Sequence, residues 1–358
     1  MWITKFTEQL GIKYPIIQAP MAGSTKPELV SAISNAGGLG SFGAGSSDAK
    51  MIRSAIRKIR EQTNNPFAVN LFIPEKAVNG LDHVNQINSL MNLYRQELRI
   101  LPPSDDTQIP VQSIDEQIEV IIEEKVPVIS FTFGYLDPTR VHELKRNGVI
   151  VIGTATTVQE AVYLEQCGVN MIVGQGSEAG GHRATFLGEF NSSLIGTLAL
   201  IPQIVDSVNI PVISAGGIMD GRGIAAALAL GASGVQMGTA FLTSKESGAH
   251  EKHKEAILNS TEEQSVVTRT FSGKPARGIR NKFITEMERY NDIIPGYPIQ
   301  GELTKDIRKA ASEQNDIEFM SLWAGQASRL SRCLPAKEIF DSLITQTESI
   351  IKNLNKYS

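Results

Sequence analysis

The chain has 358 residues, with 34 lysines and arginines against 38 aspartates and glutamates, a formal net charge of −4. Apolar residues make up 41% and charged residues 20%, an ordinary balance for a globular enzyme, and the weak acidity gives no field to hold nucleic acid or an anionic membrane. Two cysteines, Cys167 and Cys333, cannot form a disulfide framework in a chain this long, and the longest apolar runs, such as Ile224 to Ala232, fall far short of the ~20 residues of a membrane span.

The N-terminal MWITKFTEQLG has no apolar core of a secretory signal, so a soluble protein of a reducing cytoplasm is expected. The length exceeds the usual single core, with the α/β barrel as the common exception.

Short apolar runs recur along the chain, each closing on Gly, Asn or Ser. They are Tyr14–Met21, Gly38–Ala44, Phe67–Phe72, Val126–Gly134, Val149–Ala155, Met171–Gly176, Ile210–Gly217 and Gly234–Leu242. Continuous rather than alternating, they suit parallel strands buried on both faces. Helical patterns lie between them: PELVSAISNAGG with its Gly-Gly end, TVQEAVYLEQCG, and GRGIAAALALGA opening near Asp220. Eight strands alternating with helices predict an α/β fold, a (β/α)8 TIM barrel, over an open doubly wound sheet.

Two segments exceed the minimal barrel. Between the third and fourth strands, Leu81 to Leu101 is polar with helical periodicity, and Ile100 to Pro110 reads as a loop. After the eighth strand comes a mixed region expected to form a smaller, mostly helical cap. Pro335 to Leu354 then reads as the last barrel helix. The expected division is a barrel of residues 1–243 plus 335–358 and a substrate cap of 244–334.

Chemistry on such a barrel gathers at the C-terminal ends of the strands. The third strand ends near Asn70, the sixth at Gln175, the seventh in Gly216-Gly217, and the eighth carries Gln236, Met237, Gly238 and Thr239. The glycines make either tight strand-to-helix turns or a phosphate cradle of backbone N–H groups; two such sites together favour the cradle. Asn70 and Gln175 are either satisfied core amides or partners for a ring bearing donors and acceptors.

Of the five histidines, His83 and His142 fall on polar helical stretches. His250 and His253 lie three apart with no third metal ligand evident, so no metal is expected. His182 stands apart, in QGSEAGGHRATF behind Gly180 and Gly181, where an imidazole can titrate or hydrogen-bond a ligand. No Ser-His-Asp elbow and no G-x-G-x-x-G after a strand is present.

QAPMAG, the Asn70 of NLF, SFTFG, IGTATTVQEA, IVGQGSEAGGHRATF, PVISAGGIMDGRGIAAALALGASGVQMGTAFL and FSGKPARGIRNKF together resemble the nitronate monooxygenases, of the bacterial class I, from Pro15 to about Lys305. That resemblance implies a flavin enzyme using FMN and O2 to oxidise alkyl nitronates, with propionate 3-nitronate the expected substrate, detoxification the expected role, and a monomer or homodimer. It implies FMN held by Asn70, Gln175, Gly180, Gly217, Gln236, Met237, Gly238 and Thr239, with His182 as the catalytic residue. In YPIQGELTK, Tyr297 and Lys305 match the family's substrate-channel residues, and Arg277 and Arg280 fall in a recurring segment of unassigned role. His182 and Lys305 are expected to offer positive or hydrogen-bonding character to the nitronate.

The rival resemblance is to an FMN-dependent enoyl reductase of fatty-acid synthesis or an NAD(P)H:quinone reductase, which share the E-A-G-G-H loop. The enoyl reductases usually have Met before that glutamate, where this chain has Ser177.

Overall fold

Branched and aromatic side chains fill eight parallel strands that wrap into a nearly closed barrel. The computed structural model describes residues 2–45, 47–74, 83–103, 113–354 and 356. The strands are β1 (Ile16–Gln18), β2 (Gly40–Gly45), β3 (Phe67–Phe72), β4 (Val128–Thr132), β5 (Ile150–Ala155), β6 (Met171–Gln175), β8 (Val212–Ala215) and β9 (Gly234–Met237); β7 (Gly181–His182) belongs elsewhere. Their order is β1-β9-β8-β6-β5-β4-β3-β2. The ring closes through a parallel bridge from Ile17 to Leu39.

The barrel interior changes character along its axis. Its lower part is apolar: Ile17, Ala68, Val128, Ile152, Val173 and Ile213 pack with Phe6 and Leu10 of the helix Lys5–Leu10, which plugs the N-terminal end. Side chains two residues further along a strand return to the same face. Asn70, Ser130, Thr154 and Gln175 therefore form the next layer, and the mouth is polar. Gln236 joins them, in register with Ile17 and Ala215.

The ninth strand is shorter than its apolar run. The amides of Phe241 and Leu242 bond to Gly238 O, so the chain coils at once into the turn Thr239–Leu242. The long helix Ala336–Leu354 returns to the barrel and buries Ile339, Phe340 and Leu343 in its outer core.

A second core lies over the mouth. Ile87 and Met91 of the helix Val84–Glu97 pack with Phe271, Phe283, Ile307 and Phe319. The polar insertion thus sends its one apolar stripe to the region after β9. Its expected loop runs from 100 to 110, and residues 104–110 of it lie outside the described residues. That region is not only helical: β10 (Ser265–Thr268) and β11 (Ala276–Ile279) pair antiparallel, and β11 pairs in turn with β7.

Arg95 fastens the insertion to this core. Its side chain is 1% exposed and donates to Asp306 (2.7 Å), Asn88 (2.7 Å), Asn92 (2.8 Å) and the Leu303 carbonyl (3.1 Å). Removing one partner of a buried pair strands the other. Arg95→Ala is expected to lower stability in urea unfolding by about 3 kcal/mol. Arg53→Ala, at a more exposed pair with Glu123 and Glu124, should cost less than about 1 kcal/mol.

Candidate active site

The loop after β6 carries few apolar side chains, and it is held by polar ones. Arg183 is buried beneath it, donating from Nη1 to the carbonyls of Gln175 (2.9 Å) and Gly176 (2.6 Å) and from Nη2 to Ser193 O (2.8 Å). Burial pushes this guanidinium down to about 10. Gln175 closes the loop on itself: its Nε2 donates to His182 O (3.1 Å), and its Oε1 accepts from Ala184 N (2.9 Å). Its amide is therefore engaged within the loop. Gly180 is needed for close approach, since a Cβ there would lie 2.4 Å from Gly325 N, and Gly181 takes φ +73°.

The consequence is a fixed imidazole. Gly181 and His182 pair antiparallel with Arg277 and Ala276, which ties this barrel loop to the sheet above the mouth. His182 is half-buried among rings, with centroids 5.6 Å from Phe133, 5.6 Å from Trp323 and 6.3 Å from Tyr297. Its Nε2 lies 2.8 Å from Ser272 Oγ. Burial, and then the positive charges of Lys274 and Arg308, push its pKa down to about 4. Both effects favour the neutral imidazole, which can hydrogen-bond a ligand or accept a proton.

Lys274 and Arg308 are the two cations whose charge reaches this ring. Lys274 Nζ lies 4.6 Å from the centroid of the Phe133 ring. Arg308 donates to Gly301 O (2.8 Å) and Thr304 Oγ1 (3.2 Å). Lys305 has a side chain 63% exposed, paired with Glu302 at 3.1 Å.

Around the mouth, Asn70 Nδ2 donates to Ser130 Oγ (3.0 Å) and lies 3.3 Å from Thr132 Oγ1. The Gln236 amide has no hydrogen-bond partner among the described residues, and the buried hydroxyls of Ser41 and Ser214 have none either. Met237 is buried behind them. Thr239 Oγ1 accepts from Gly325 N (2.9 Å), so Gly180, Gly325, Gly238 and Thr239 meet at one place. Gly217 borders a cavity of about 340 Å³ lined also by Glu178, Thr197 and Gln326.

Arg277 has a bracing role, donating from Nε to Ser177 O at 3.0 Å, whereas Arg280 pairs with Glu288 away from the imidazole. His253 Nε2 lies 3.0 Å from the Trp323 carbonyl oxygen, while His250 caps its helix. Sequence reasoning missed Phe133, Ser272, Lys274, Arg308 and Trp323. Three of the five lie in stretches it singled out: Phe133 in SFTFG, and Ser272 and Lys274 in FSGKPARGIRNKF.

Residues 4–346 match the family model described as nitronate monooxygenase. A relative from Staphylococcus aureus strain JH9, described as a probable nitronate monooxygenase, is 48% identical, covering 98% of this chain and 99% of its own. Among solved structures, a nitroalkane oxidase from Streptomyces ansochromogenes superposes with TM-score 0.91 at 36% identity, covering 98% of this chain and 99% of that one. FabK from Thermotoga maritima gives 0.78 at 33% identity, with full coverage of both chains.

The depressed histidines carry a pH signature. His182 and His253 are both pushed from 6.5 to about 4, chiefly by burial, so between these values the unfolded chain binds more protons than the folded one. Stability from urea unfolding is expected to be full above pH 6.5 and to decline as pH falls from 6.5 towards 4. His182→Asn should make that decline shallower. A His182 ring resonance that titrates near pH 6.5 would contradict the neutral imidazole.

Proposed function

The chain belongs to the nitronate monooxygenase family of oxidoreductases, and we propose that it binds FMN across the barrel mouth and oxidises alkyl nitronates with O2. Propionate 3-nitronate is the proposed substrate, converted to the oxo acid with release of nitrite or nitrate, in a detoxifying role. The observation that carries this reading is His182, fixed by the β7–β11 pairing and by Ser272 among the rings of Phe133 and Trp323 at the barrel mouth.

The residues present fit a flat ring with a phosphate tail. Asn70 and Gln236 offer amides at the mouth, and the unpartnered hydroxyls of Ser41 and Ser214 lie among the same strands. Gly180, Gly217, Gly238 and Thr239 offer backbone N–H groups where the loops converge, with Met237 behind them. Gln175 serves by shaping the loop that meets the ring. When bound, the flavin supplies the redox chemistry and the protein positions it.

The chain's own side chains then do three things. Phe133, Trp323 and Tyr297 wall the chamber and exclude water. Lys274 and Arg308 make it attractive to an anion, the part the sequence gave to Lys305. His182, neutral, orients the nitronate or takes the proton of a neutral nitroalkane. The barrel holds the cofactor, and the region 244–334, joined by the helix Val84–Glu97, forms the substrate cap. Among the described residues no helix is long and apolar enough to cross a membrane. We place the protein in the cytoplasm on its two unpaired cysteines.

Reduction by NAD(P)H is the second reading, favoured by the shared Glu178-Ala179-Gly180-Gly181-His182 loop. One aerobic assay separates the two. Oxygen uptake with nitrite formation is expected from propionate 3-nitronate and not from NADH; uptake with NADH alone would overturn the proposal.

Variants refine it. His182→Asn is expected to lower turnover of propionate 3-nitronate, and that of a neutral nitroalkane by about 10²–10⁴-fold. Lys274→Ala or Arg308→Ala should raise KM for the anion about tenfold, the equivalent of ~1.4 kcal/mol. Lys305→Ala should leave both constants within about twofold, as expected of an exposed pair. Equal losses at Lys305 and Lys274 would contradict this placement.

A further inference from the structure

We propose that Ser272 is a positioning residue that holds His182 in the Nε2–H tautomer, making Nδ1 the ring atom that meets the ligand. A serine hydroxyl has one hydrogen to donate and two lone pairs to accept with. Ser272 Oγ makes three contacts: His182 Nε2 at 2.8 Å, the Lys274 carbonyl at 3.1 Å and the Lys274 amide at 3.3 Å. The carbonyl can only accept and the amide can only donate.

One assignment turns all three contacts into hydrogen bonds. The hydroxyl hydrogen goes to Lys274 O, and the two lone pairs accept from Lys274 N–H and from His182 Nε2–H. The opposite assignment sends the hydrogen to Nε2 and leaves two oxygens facing each other at 3.1 Å with no hydrogen between them. A neutral imidazole carries a single ring hydrogen, so Nε2–H leaves Nδ1 bare. Nδ1 has no hydrogen-bond partner among the described residues.

Both halves of the contact are rigidly placed. Ser272 is buried in a tight turn where Gly273 N donates to Arg269 O at 2.8 Å, and a Cβ at Gly273 would lie 2.4 Å from Pro295 O. His182 rides on β7, paired to β11 a few residues beyond that turn. The cap therefore sets the protonation pattern of a ring carried by the barrel loop.

On the proposed function, this names the atom that moves a proton. With a neutral nitroalkane, the α C–H bond breaks, its proton goes to Nδ1 and its electron pair into the nitro group, giving the nitronate. The imidazolium formed keeps its Nε2–H on Ser272.

The test is the ¹⁵N spectrum of the histidine rings in the protein as purified, near neutral pH, with His182→Asn identifying the resonances. The expected result is a protonated Nε2 and an unprotonated Nδ1 for His182. Ser272→Ala should shift the ring to a mixture or to the other tautomer, and Ser272→Thr, which keeps the hydroxyl, should restore the original pattern. A protonated Nδ1 in the unaltered protein would overturn the proposal, as would a Ser272→Ala spectrum identical to it. If Ser272→Ala does not fold, the unaltered protein and Ser272→Thr decide alone. The spectrum needs no substrate, so a wrong tautomer defeats the role of Ser272 while leaving oxygen uptake with nitronates intact. Absent oxygen uptake with the expected tautomer defeats only the substrate reading.

Discussion

The structure depends on a short antiparallel pairing: Gly181 and His182 against Arg277 and Ala276. It joins a loop of the barrel to the sheet that stands over its mouth. Without it, a glycine-rich loop would have little to order it, because it buries few apolar side chains. With it, and with Arg183 gripping the carbonyls of Gln175 and Gly176 from below, the loop is fixed on both sides. The imidazole is thus placed by two parts of the fold that have separate apolar cores.

The electrostatics of the chamber follow from that placement. Aromatic rings surround the imidazole, and Lys274 and Arg308 add positive charge, so both effects act against protonating it. The same charges that keep the ring neutral make the chamber favourable for an anion. A neutral ring with a spare lone pair and two fixed cations is a coherent setting for a substrate that exists as a nitroalkane or as its conjugate nitronate.

Much of the fold was legible because a buried parallel strand leaves a continuous apolar run. Seven of the eight barrel strands stand within their expected stretches, β2 runs one residue past its own to Gly45, and Phe67–Phe72 matches its run residue for residue. The strands above the mouth were not legible, since β10 and β11 are four residues each and owe their pairing to tertiary contacts. At the site, His182 stood out because Gly-Gly beside a lone histidine has no packing rationale. Lys274 and Arg308 did not, because a lysine in a loop and an arginine on an amphipathic helix look solvent-exposed until the fold turns them inward. Lys305, which fits the family motif, begins the helix that carries Arg308 and is 63% exposed, paired with Glu302.

On the proposed function, Asn70, Gln236 and the glycines of the mouth would hold FMN, which would supply the redox chemistry for a nitronate beside this imidazole. The most direct test is the visible absorbance of the purified protein mixed with propionate 3-nitronate in the absence of oxygen. The expected result is a yellow protein whose flavin bands change on mixing and recover when air is admitted. A colourless protein that takes up no FMN, or a flavin spectrum unmoved by the nitronate yet bleached by NADH, would contradict it.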